Sequence, residues 1–164
     1  MNVDHIIKKA FSELSLTELF EIVRARFDVF VGEQHILDPE FDDIDYRSIH
    51  FFIQDGDKVI AYARLFQGDT PGQWHLGRML TTRRKQGLGA AIVDAAKEYV
   101  REHGGTRILL HAQVQAQGFY GRQGFTVCSE VFEEAGIPHV LMEYVWPPIY
   151  GPCDSCGPIL LNVE

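Results

Sequence analysis

The sequence has little positive charge, few cysteines and no long apolar run. Acidic residues outnumber basic ones by 23 to 15, giving a net charge of −8; this argues against general nucleic-acid binding, because that function needs a basic surface. No apolar stretch reaches the ~18 residues of a membrane-spanning helix, and residues 1–5 lack the charged and apolar regions of a signal peptide. We therefore expect a cytoplasmic protein that binds neither nucleic acid nor a membrane.

The three cysteines lie late in the chain. Cys128 falls in a predicted strand and is interpreted as a small buried apolar residue. Cys153 and Cys156 form a Cys-x-x-Cys pair, which supplies two of the four ligands of a structural zinc site or forms a reversible disulfide. A single pair lacks the spacing partners of a zinc motif, so we favour two ordinary thiols and predict no metal ligand. A thiol-redox or zinc protein stays an alternative class.

Length and composition fit one folded domain. The chain has 164 residues and 46% hydrophobic residues, enough for a sizeable core. We place the end of the domain at residue 146 and treat 147–164 as a tail of unknown role. Ser15-Leu16-Thr17-Glu18 is a capping box, and it begins a helix that ends near residue 31. The apolar residues of this helix recur at helical spacing and are assigned to the core: Leu16, Leu19, Phe20, Val23, Phe27 and Phe30.

The rest of the chain alternates between strand and helix patterns. Asp55-Gly56-Asp57 separates two runs of β-branched and aromatic residues, 49–54 and 58–66, and predicts a hairpin. Further strands are expected at 74–80, 107–110, from 125, and 139–145, with helices at 88–100 and 115–123. This order predicts a mixed α/β fold around one sheet.

The most informative segment is Arg84-Lys85-Gln86-Gly87-Leu88-Gly89. It joins a predicted strand to a predicted helix, and its two glycines let the backbone turn tightly and approach a ligand closely. The first N–H groups of a helix have no partner within it, so with the helix dipole they form an anion site. Arg83, Arg84 and Lys85 add positive charge on an otherwise acidic chain. We infer a site for a polyanionic cofactor.

Two common glycine motifs are excluded, and one plain alternative stays open. A P-loop ends in Gly-Lys-Ser/Thr, whereas Gly89 is followed by two alanines. A dinucleotide-binding fingerprint needs Gly or Ala where Ile92 stands and an acidic residue roughly 20 positions on, near Arg107. The open alternative is a strand-to-helix turn with a charged rim and no ligand.

A second segment, 113–125, reads Gln-Val-Gln-Ala-Gln-Gly-Phe-Tyr-Gly-Arg-Gln-Gly-Phe. Together with the glycine segment it resembles the GNAT superfamily of N-acetyltransferases, whose cofactor signature Arg/Gln-x-x-Gly-x-Gly/Ala is matched by Arg84, Gly87 and Gly89. Residues 27–34, the acidic positions 40–45 with His50, and Gly136-Ile137-Pro138-His139 are similar to its ElaA-like branch. Neither signature is specific alone, but both occur in the family's order and spacing. Residues 147–164 have no match.

The resemblance implies a fold and a co-substrate. The fold is a single mixed, mostly antiparallel central sheet flanked by helices, and the co-substrate is acetyl-CoA. By this resemblance the pyrophosphate of coenzyme A meets residues 84–90, and main-chain groups near Met79 and Leu80 pair with the pantetheine arm. The cofactor-binding residues that it implies are Met79, Leu80, Arg84, Lys85, Gln86, Gly87, Leu88, Gly89, Ala90, Gln113, Ala116 and Tyr120.

Acetyl transfer to an amine needs a base to deprotonate the amine and an acid to protonate the departing thiolate. Tyr120 matches the family's acid position, and a phenol with an ordinary pKa of about 10 is a proton donor at neutral pH. The candidates for the base are Glu33, His50 and His75. Each of them also has a structural interpretation, such as a hydrogen bond at a helix end.

The acceptor is expected to be a primary amine, either a small cationic molecule or an exposed amino group of a peptide. Glu33, Glu40, Asp43 and Asp45 are expected at the mouth of its site, where they would attract cations. Three alternatives stay open: transfer of a longer acyl group, a non-catalytic CoA-sensing domain, and a partner-binding domain. The oligomeric state is open as well, a homodimer included.

Overall fold

The computed structural model describes residues 5–146, 149–151 and 159–161. In this part of the chain eight strands form one sheet: β1 Ile7–Ala10, β2 Ile49–Asp55, β3 Lys58–Gln67, β4 Gln73–Thr81, β5 Arg107–Gln113, β6 Thr126–Val127, β7 Phe132–Glu134 and β8 Ile137–Val145. Their order is β1-β2-β3-β4-β5-β8-β6, and β7 also pairs with β8. Strands β9 Ile149–Gly151 and β10 Ile159–Leu161 pair with each other.

Every pair in the large sheet is antiparallel except β4 with β5. The helices are α1 Leu16–Arg26, α2 Ile44–Arg47, α3 Leu88–Glu102 and α4 Gln117–Arg122, and α1 continues as a π-helical segment, Phe27–Glu33. The expected architecture, a single mixed and mostly antiparallel sheet flanked by helices, is confirmed.

The sheet separates two apolar cores because side chains alternate along each strand. Phe52 and Tyr62 point to one face, where α1 and the π-helical segment cover them. Phe51 and Ala61 point to the other face, where α3 packs. Neither core can form without the sheet, so all these elements belong to one cooperative unit.

Helix α1 begins where the sequence predicts but buries a different face. The Ser15 hydroxyl accepts from the Glu18 N–H at 3.0 Å, and the Glu18 carboxylate accepts from the Ser15 N–H at 2.8 Å, which confirms the capping box. The expected core residues Leu16 and Phe20 are exposed by 87% and 57%, and Phe27 is exposed as well. Phe30 is buried as expected, and the rest of the buried face consists of Ile22, Ala25, Arg26 and Val29.

Strands β4 and β5 pair over only three residues each and then part. Their parallel register joins Gln73–His75 to Arg107–Leu109. Beyond His75, β4 contains a bulge. Gly77 pairs with Arg64 and Leu80 pairs with Tyr62, so three steps along β4 lie opposite two steps along β3. Arg78 lies in this bulge with a left-handed φ of 53°. The bulge turns β4 away from β5 and opens a cleft inside the sheet.

Most other predicted elements are confirmed with small shifts at their ends. The Asp55-Gly56-Asp57 hairpin forms with Gly56 at a φ of 62°, and α3 ends at Glu102, shortly before Gly104, whose φ is 73°. The sequence analysis missed β1, α2 and β7. Its interpretation of Cys128 was wrong, since this residue follows the two-residue strand β6 and is exposed. Cys153 and Cys156 lie outside the described residues.

Candidate active site

The cleft between the parted strands has a volume of about 1100 Å³. The start of α3 with residues 83–87 forms one end, and β4 with β5 forms the floor. Segment 34–40 and the β7–β8 turn line the side of the sheet that carries α1, while α4 closes the other side. All twelve residues expected to bind the cofactor line this one cleft.

The glycine segment has the conformation that an anion site requires. Gly87 precedes α3 with a φ of 72° and a ψ of 11°, and Lys85 has a φ of 60°. The first turn of α3 contains no acidic side chain, so its N–H groups and the helix dipole favour a negative ligand. Arg84 and Lys85 are exposed beside them, while Arg83 hydrogen-bonds Asp55.

Gly89 connects the two sequence signatures. A Cβ at this position would lie 3.0 Å from Cζ of Phe119, in the second signature. Glycine therefore lets α3 pack closely against α4. That packing carries Tyr120, the residue after Phe119, into the wall of the cleft. The two sequence signatures, some thirty residues apart along the chain, therefore contain residues that are in contact in the fold.

Tyr120 presents a buried hydroxyl to the cleft. The side chain is 8% exposed and packs edge-on against Phe119 and Phe125. Burial raises the pKa of Tyr120 to about 12, so the phenol keeps its proton at any physiological pH. No residue of the described chain hydrogen-bonds this hydroxyl, and its proton is available to a ligand.

His75, one of the expected bases, lies at the point where β4 and β5 part and lines the cleft. Its ring stacks on Phe66 at 5.2 Å, and its Nε2 is 3.2 Å from Nε2 of Gln73. An amide nitrogen can only donate, so Nε2 accepts and the ring hydrogen is on Nδ1. Burial, with the charge of His111, lowers the pKa of His75. The neutral ring thus has its basic nitrogen occupied.

Two more histidines, His111 and His139, lie on the same side of the sheet. Neither was proposed as the base from the sequence. His111 Nδ1 lies 2.9 Å from Glu134 Oε1, and His139 Nε2 lies 3.6 Å from Glu134 Oε2. His139 Nδ1 is 2.7 Å from the Ile137 carbonyl, which can only accept. The hydrogen of the neutral His139 ring is therefore on Nδ1, and Nε2 is its basic nitrogen. The Glu134 carboxylate thus lies beside both histidine rings.

Glu33 and His50, the other expected bases, are not among the residues that line the cleft. Glu33 is exposed at the end of the π-helical segment. His50 is 1% exposed, and both ring nitrogens are occupied, by the Tyr62 hydroxyl at 2.7 Å and the Asp45 carbonyl at 2.9 Å. We therefore assign neither of them a role in proton transfer.

The acidic loop after the π-helical segment is neutralised by buried arginines. Arg26, 2% exposed, donates to the Glu40 carboxylate at 2.7 Å, to the Glu40 carbonyl at 2.8 Å and to Asp45 at 2.7 Å. Burial acts to raise the pKa of Asp45, but the hydrogen bond and charge of Arg26, with the charge of Arg64, outweigh it and hold that pKa below its ordinary value. Glu40 and Asp45 are therefore held in buried ion pairs, whereas Asp38 and Asp43 of the same loop are exposed.

Of the four carboxylates expected at an anionic mouth, only Glu40 lines the cleft, together with Asp38 and Glu134. Glu40 and Asp45 are both 8% exposed and ion-paired, and Asp43 and Glu33 are exposed but outside the cleft. Six polar residues of the cleft wall were not predicted as site residues. They lie on segment 34–40 or on the sheet face below it: Gln34, Arg64, Arg78, His111, Glu134 and His139. Of these, Gln34 and His139 lie in segments that carried the ElaA-like resemblance, 27–34 and 136–139.

Fold and cleft together define a class of protein. A bulged strand parts from its parallel neighbour above a glycine-rich helix start, and this suits an extended ligand with an anionic end and a reactive group deep between the strands. No group of His, Cys, Asp or Glu in the described chain is placed to hold a metal ion. No helix within the described ranges is long and apolar enough to span a membrane.

Comparison with known proteins agrees with this class. Residues 21–146 match the family model described as an acetyltransferase (GNAT) domain. A putative acetyltransferase of Bacillus subtilis is 39% identical over 145 residues, covering 83% of this chain and 93% of that protein. The chain belongs to the GNAT acetyltransferase family, whose members transfer acyl groups from coenzyme A thioesters.

Two solved structures support the same assignment. The crystal structure of Escherichia coli ElaA has a TM-score of 0.78 and 29% identity, covering 85% of this chain and 97% of that one. An acyl-CoA N-acyltransferase of Pseudomonas aeruginosa has a TM-score of 0.77 and 31% identity, covering 85% and 98%. The resemblance to the ElaA-like branch is thereby confirmed.

Proposed function

We propose that the protein transfers an acetyl group from acetyl-CoA to a primary amine by direct attack. The observation that carries this proposal is the convergence on one cleft of an anion-binding helix start, an unpaired strand edge and a buried phenol. Acetyl-CoA supplies the activated thioester, and every other requirement falls on residues of the chain.

The cleft fits the shape and charge of acetyl-CoA. The N–H groups of Leu88, Gly89 and Ala90, with Arg84 and Lys85, would hold the pyrophosphate. Beyond His75 the edge of β4 that faces β5 has no strand partner among the described residues, so the main chain near Met79 and Leu80 is free to pair with the amides of the pantetheine arm. A main-chain N–H at the same edge would polarise the thioester carbonyl.

Two side chains provide the proton transfers. The Tyr120 hydroxyl, kept protonated by burial, would protonate the departing thiolate. His139 would take the proton of the amine on Nε2, because its hydrogen bond to the Ile137 carbonyl leaves Nε2 without a hydrogen and the Glu134 carboxylate lies 3.6 Å from that nitrogen. His139 replaces the bases expected from the sequence. Of those, only His75 lines the cleft, and its basic nitrogen is occupied.

The experiment that tests this proposal offers acyl-CoA thioesters of increasing chain length with a panel of amines, follows free thiol, and identifies the product by mass spectrometry. We expect acetylated amine, and turnover that falls as the acyl chain grows. Acylated amine only from longer thioesters would favour the alternative acyl specificity. Tight acetyl-CoA binding without any acylated product would favour a CoA-sensing domain.

A pair of glycine variants tests the cofactor site itself. Gly87 and Gly104 have φ values of 72° and 73°, and a Cβ at either position meets no atom within 4 Å. Valine at either site should cost about 1–2 kcal/mol of backbone strain. Only Gly87→Val places a side chain in the cleft, so only this variant should weaken acetyl-CoA binding, by at least about tenfold in calorimetry. Equal affinities in the two variants would contradict the assignment.

A further inference from the structure

Arg64 carries an unsatisfied hydrogen-bond donor in the wall of the cleft. Its side chain is 4% exposed, and Nη1 and Nη2 are held by Asp42 at 2.6 and 3.1 Å and by Asp45 at 3.0 Å. Nε has no hydrogen-bond partner, and it is the one buried side-chain nitrogen or oxygen of the described residues in that condition. A buried charged donor without a partner is costly and uncommon in native structures, which points to a ligand group that completes it.

The strand beside Arg64 leaves open space next to this buried donor. Gly77 is the partner of Arg64 in the β3–β4 register, and both residues line the cleft. A Cβ built on Gly77 would have a single atom within 4 Å, Nε of Arg64 at 4.0 Å. The backbone of Gly77 does not have a left-handed φ, so its conformation does not demand glycine. What the glycine provides is space next to the Arg64 N–H.

Arg78 supplies a second donor on the same wall. It follows Gly77 in the β4 bulge, has a left-handed φ of 53°, and lines the cleft. Its Nε and Nη2 bind Glu40, at 3.0 Å to the carboxylate and 3.2 Å to the carbonyl. Nη1 makes no hydrogen bond to the described part of the chain. A non-glycine residue in this conformation is strained, and such strain concentrates at ligand sites.

The charges of this part of the cleft wall indicate which chemical group the free N–H donors bind. Three arginines, Arg26, Arg64 and Arg78, are balanced by three carboxylates, Glu40, Asp42 and Asp45. The cluster is neutral by itself and has N–H donors without partners in the described residues, so a carboxylate gains hydrogen bonds there that an ammonium group cannot make.

We infer that the acceptor amine carries a carboxylate, which binds Arg64 Nε and Arg78 Nη1 above Gly77. The inference rests on the proposed function, because it names the substrate class of the same cleft. It reverses the preference for cationic amines expected from the sequence. An α-amino acid or the carboxylate-bearing end of a similar small molecule has the required chemistry, with its amine directed to the His139 side of the cleft.

The test compares amino acids with their carboxamides, which keep the side chain and the amine but lack the negative charge. For the unmodified protein we expect kcat/KM to fall about tenfold or more in each carboxamide. The comparison is stringent, since removing the carboxylate lowers the pKa of the amine and thereby raises the fraction that is reactive at neutral pH. Binding of each acceptor to the CoA complex is measured in parallel by calorimetry.

Gly77→Ala places a methyl group beside Arg64 Nε, and Arg78→Gln removes the second donor without touching Arg64. Both variants should raise KM for the carboxylates about tenfold, bring carboxamides and carboxylates to within about twofold of each other, and leave KM for acetyl-CoA unchanged. Gly32→Ala is the matched control, because Gly32 is exposed and a Cβ there meets only the Phe27 carbonyl at 3.8 Å. It should behave like the unmodified protein.

Equal or better use of carboxamides by the unmodified protein would overturn the inference and leave the acetyltransferase proposal standing. Unchanged discrimination in both cleft variants would overturn it as well, since the carboxylate would then bind elsewhere. Selective carboxylate binding that is lost in Gly77→Ala, with no acetyl transfer to any amine, would support the carboxylate site and refute the proposed catalysis. Binding of neither series would refute the site.

Discussion

At the scale of single residues, the sequence located the residues that we propose for the cofactor side of the cleft and missed those that we propose for the acceptor side. Positions 84–90 and Tyr120 are local to their motifs, so spacing along the chain already describes their surroundings. The roles proposed for His139 and Arg64 depend on partners that only the fold brings to them, Glu134 across the β7–β8 turn and Asp42 on a docked loop. Residue type alone could not separate them from other histidines and arginines.

Replacement of Tyr120 by Phe should lower kcat by about 10²-fold or more, while KM for acetyl-CoA stays within about twofold, because only the proton donor is lost. The fold should be unaffected, since no described residue bonds the hydroxyl. Tyr99→Phe is the control, as that ring packs between Phe51 and Trp74 in the core. Wild-type turnover in Tyr120→Phe would show that the ring only packs.

The role of His139 predicts a change in the pH profile. His139→Gln should lower kcat/KM by about 10²-fold or more near neutral pH and remove the ascending limb that belongs to the base. His75→Gln should keep that limb, because Nε2 of His75 already accepts a hydrogen bond from Gln73. An ascending limb that disappears with His75 and survives without His139 would reverse the two assignments.

At the scale of elements, helix existence followed from the sequence but helix orientation did not. The capping box set the start of α1, while the most apolar stripe turned out to face outward. The buried stripe contains Arg26, whose charge is matched by Glu40 and Asp45. Because the spacing of apolar residues was used to predict the buried face, a face that contains an arginine was not predicted. Strands β1 and β7 were missed for a related reason, since each is short and takes its stability from pairing with β2 or β8.

The two faces of α1 should respond differently to substitution. Phe20→Gln, on the exposed stripe, should change the free energy of unfolding by less than about 0.5 kcal/mol. Ile22→Ala, at a residue that is 1% exposed, should cost about 2–5 kcal/mol. Urea unfolding monitored by far-UV circular dichroism measures both. A larger loss for Phe20→Gln would mean that a contact absent from the described residues covers the stripe.

At the scale of the whole molecule, the buried charged cluster couples stability to pH. His50 is neutral in the fold, and burial followed by the charges of Arg26 and Arg64 lowers its pKa, although Asp45 acts in the opposite direction. In the unfolded chain His50 takes up a proton as the pH falls through about 6.5. The unfolded state then holds more protons than the native state, so stability decreases as the pH falls below that value.

We therefore expect the free energy of unfolding to fall between pH 7 and pH 5, and the slope to be smaller in His50→Gln. A residual slope should persist, since burial also lowers the pKa of His75. His35→Asn serves as the control, because His35 is exposed and has a φ of 54° that asparagine tolerates. Denaturant titrations at a series of pH values measure the slope. An unchanged slope in His50→Gln would contradict this account.

The short junction between β4 and β5 has a consequence for how the chain reaches its fold. Strands β1 to β4 are consecutive in sequence and pair with their neighbours, and β5 to β8 pair only among themselves apart from that junction. Ribosomal synthesis delivers the first half-sheet before the second exists. Its hairpins close short loops, whereas joining the halves needs α3 to be complete and to cross from β4 to β5. We therefore expect the three residue pairs beyond which the cleft opens to form late, together with the core that α3 covers, which would place the site at the junction between an early and a late half of the protein.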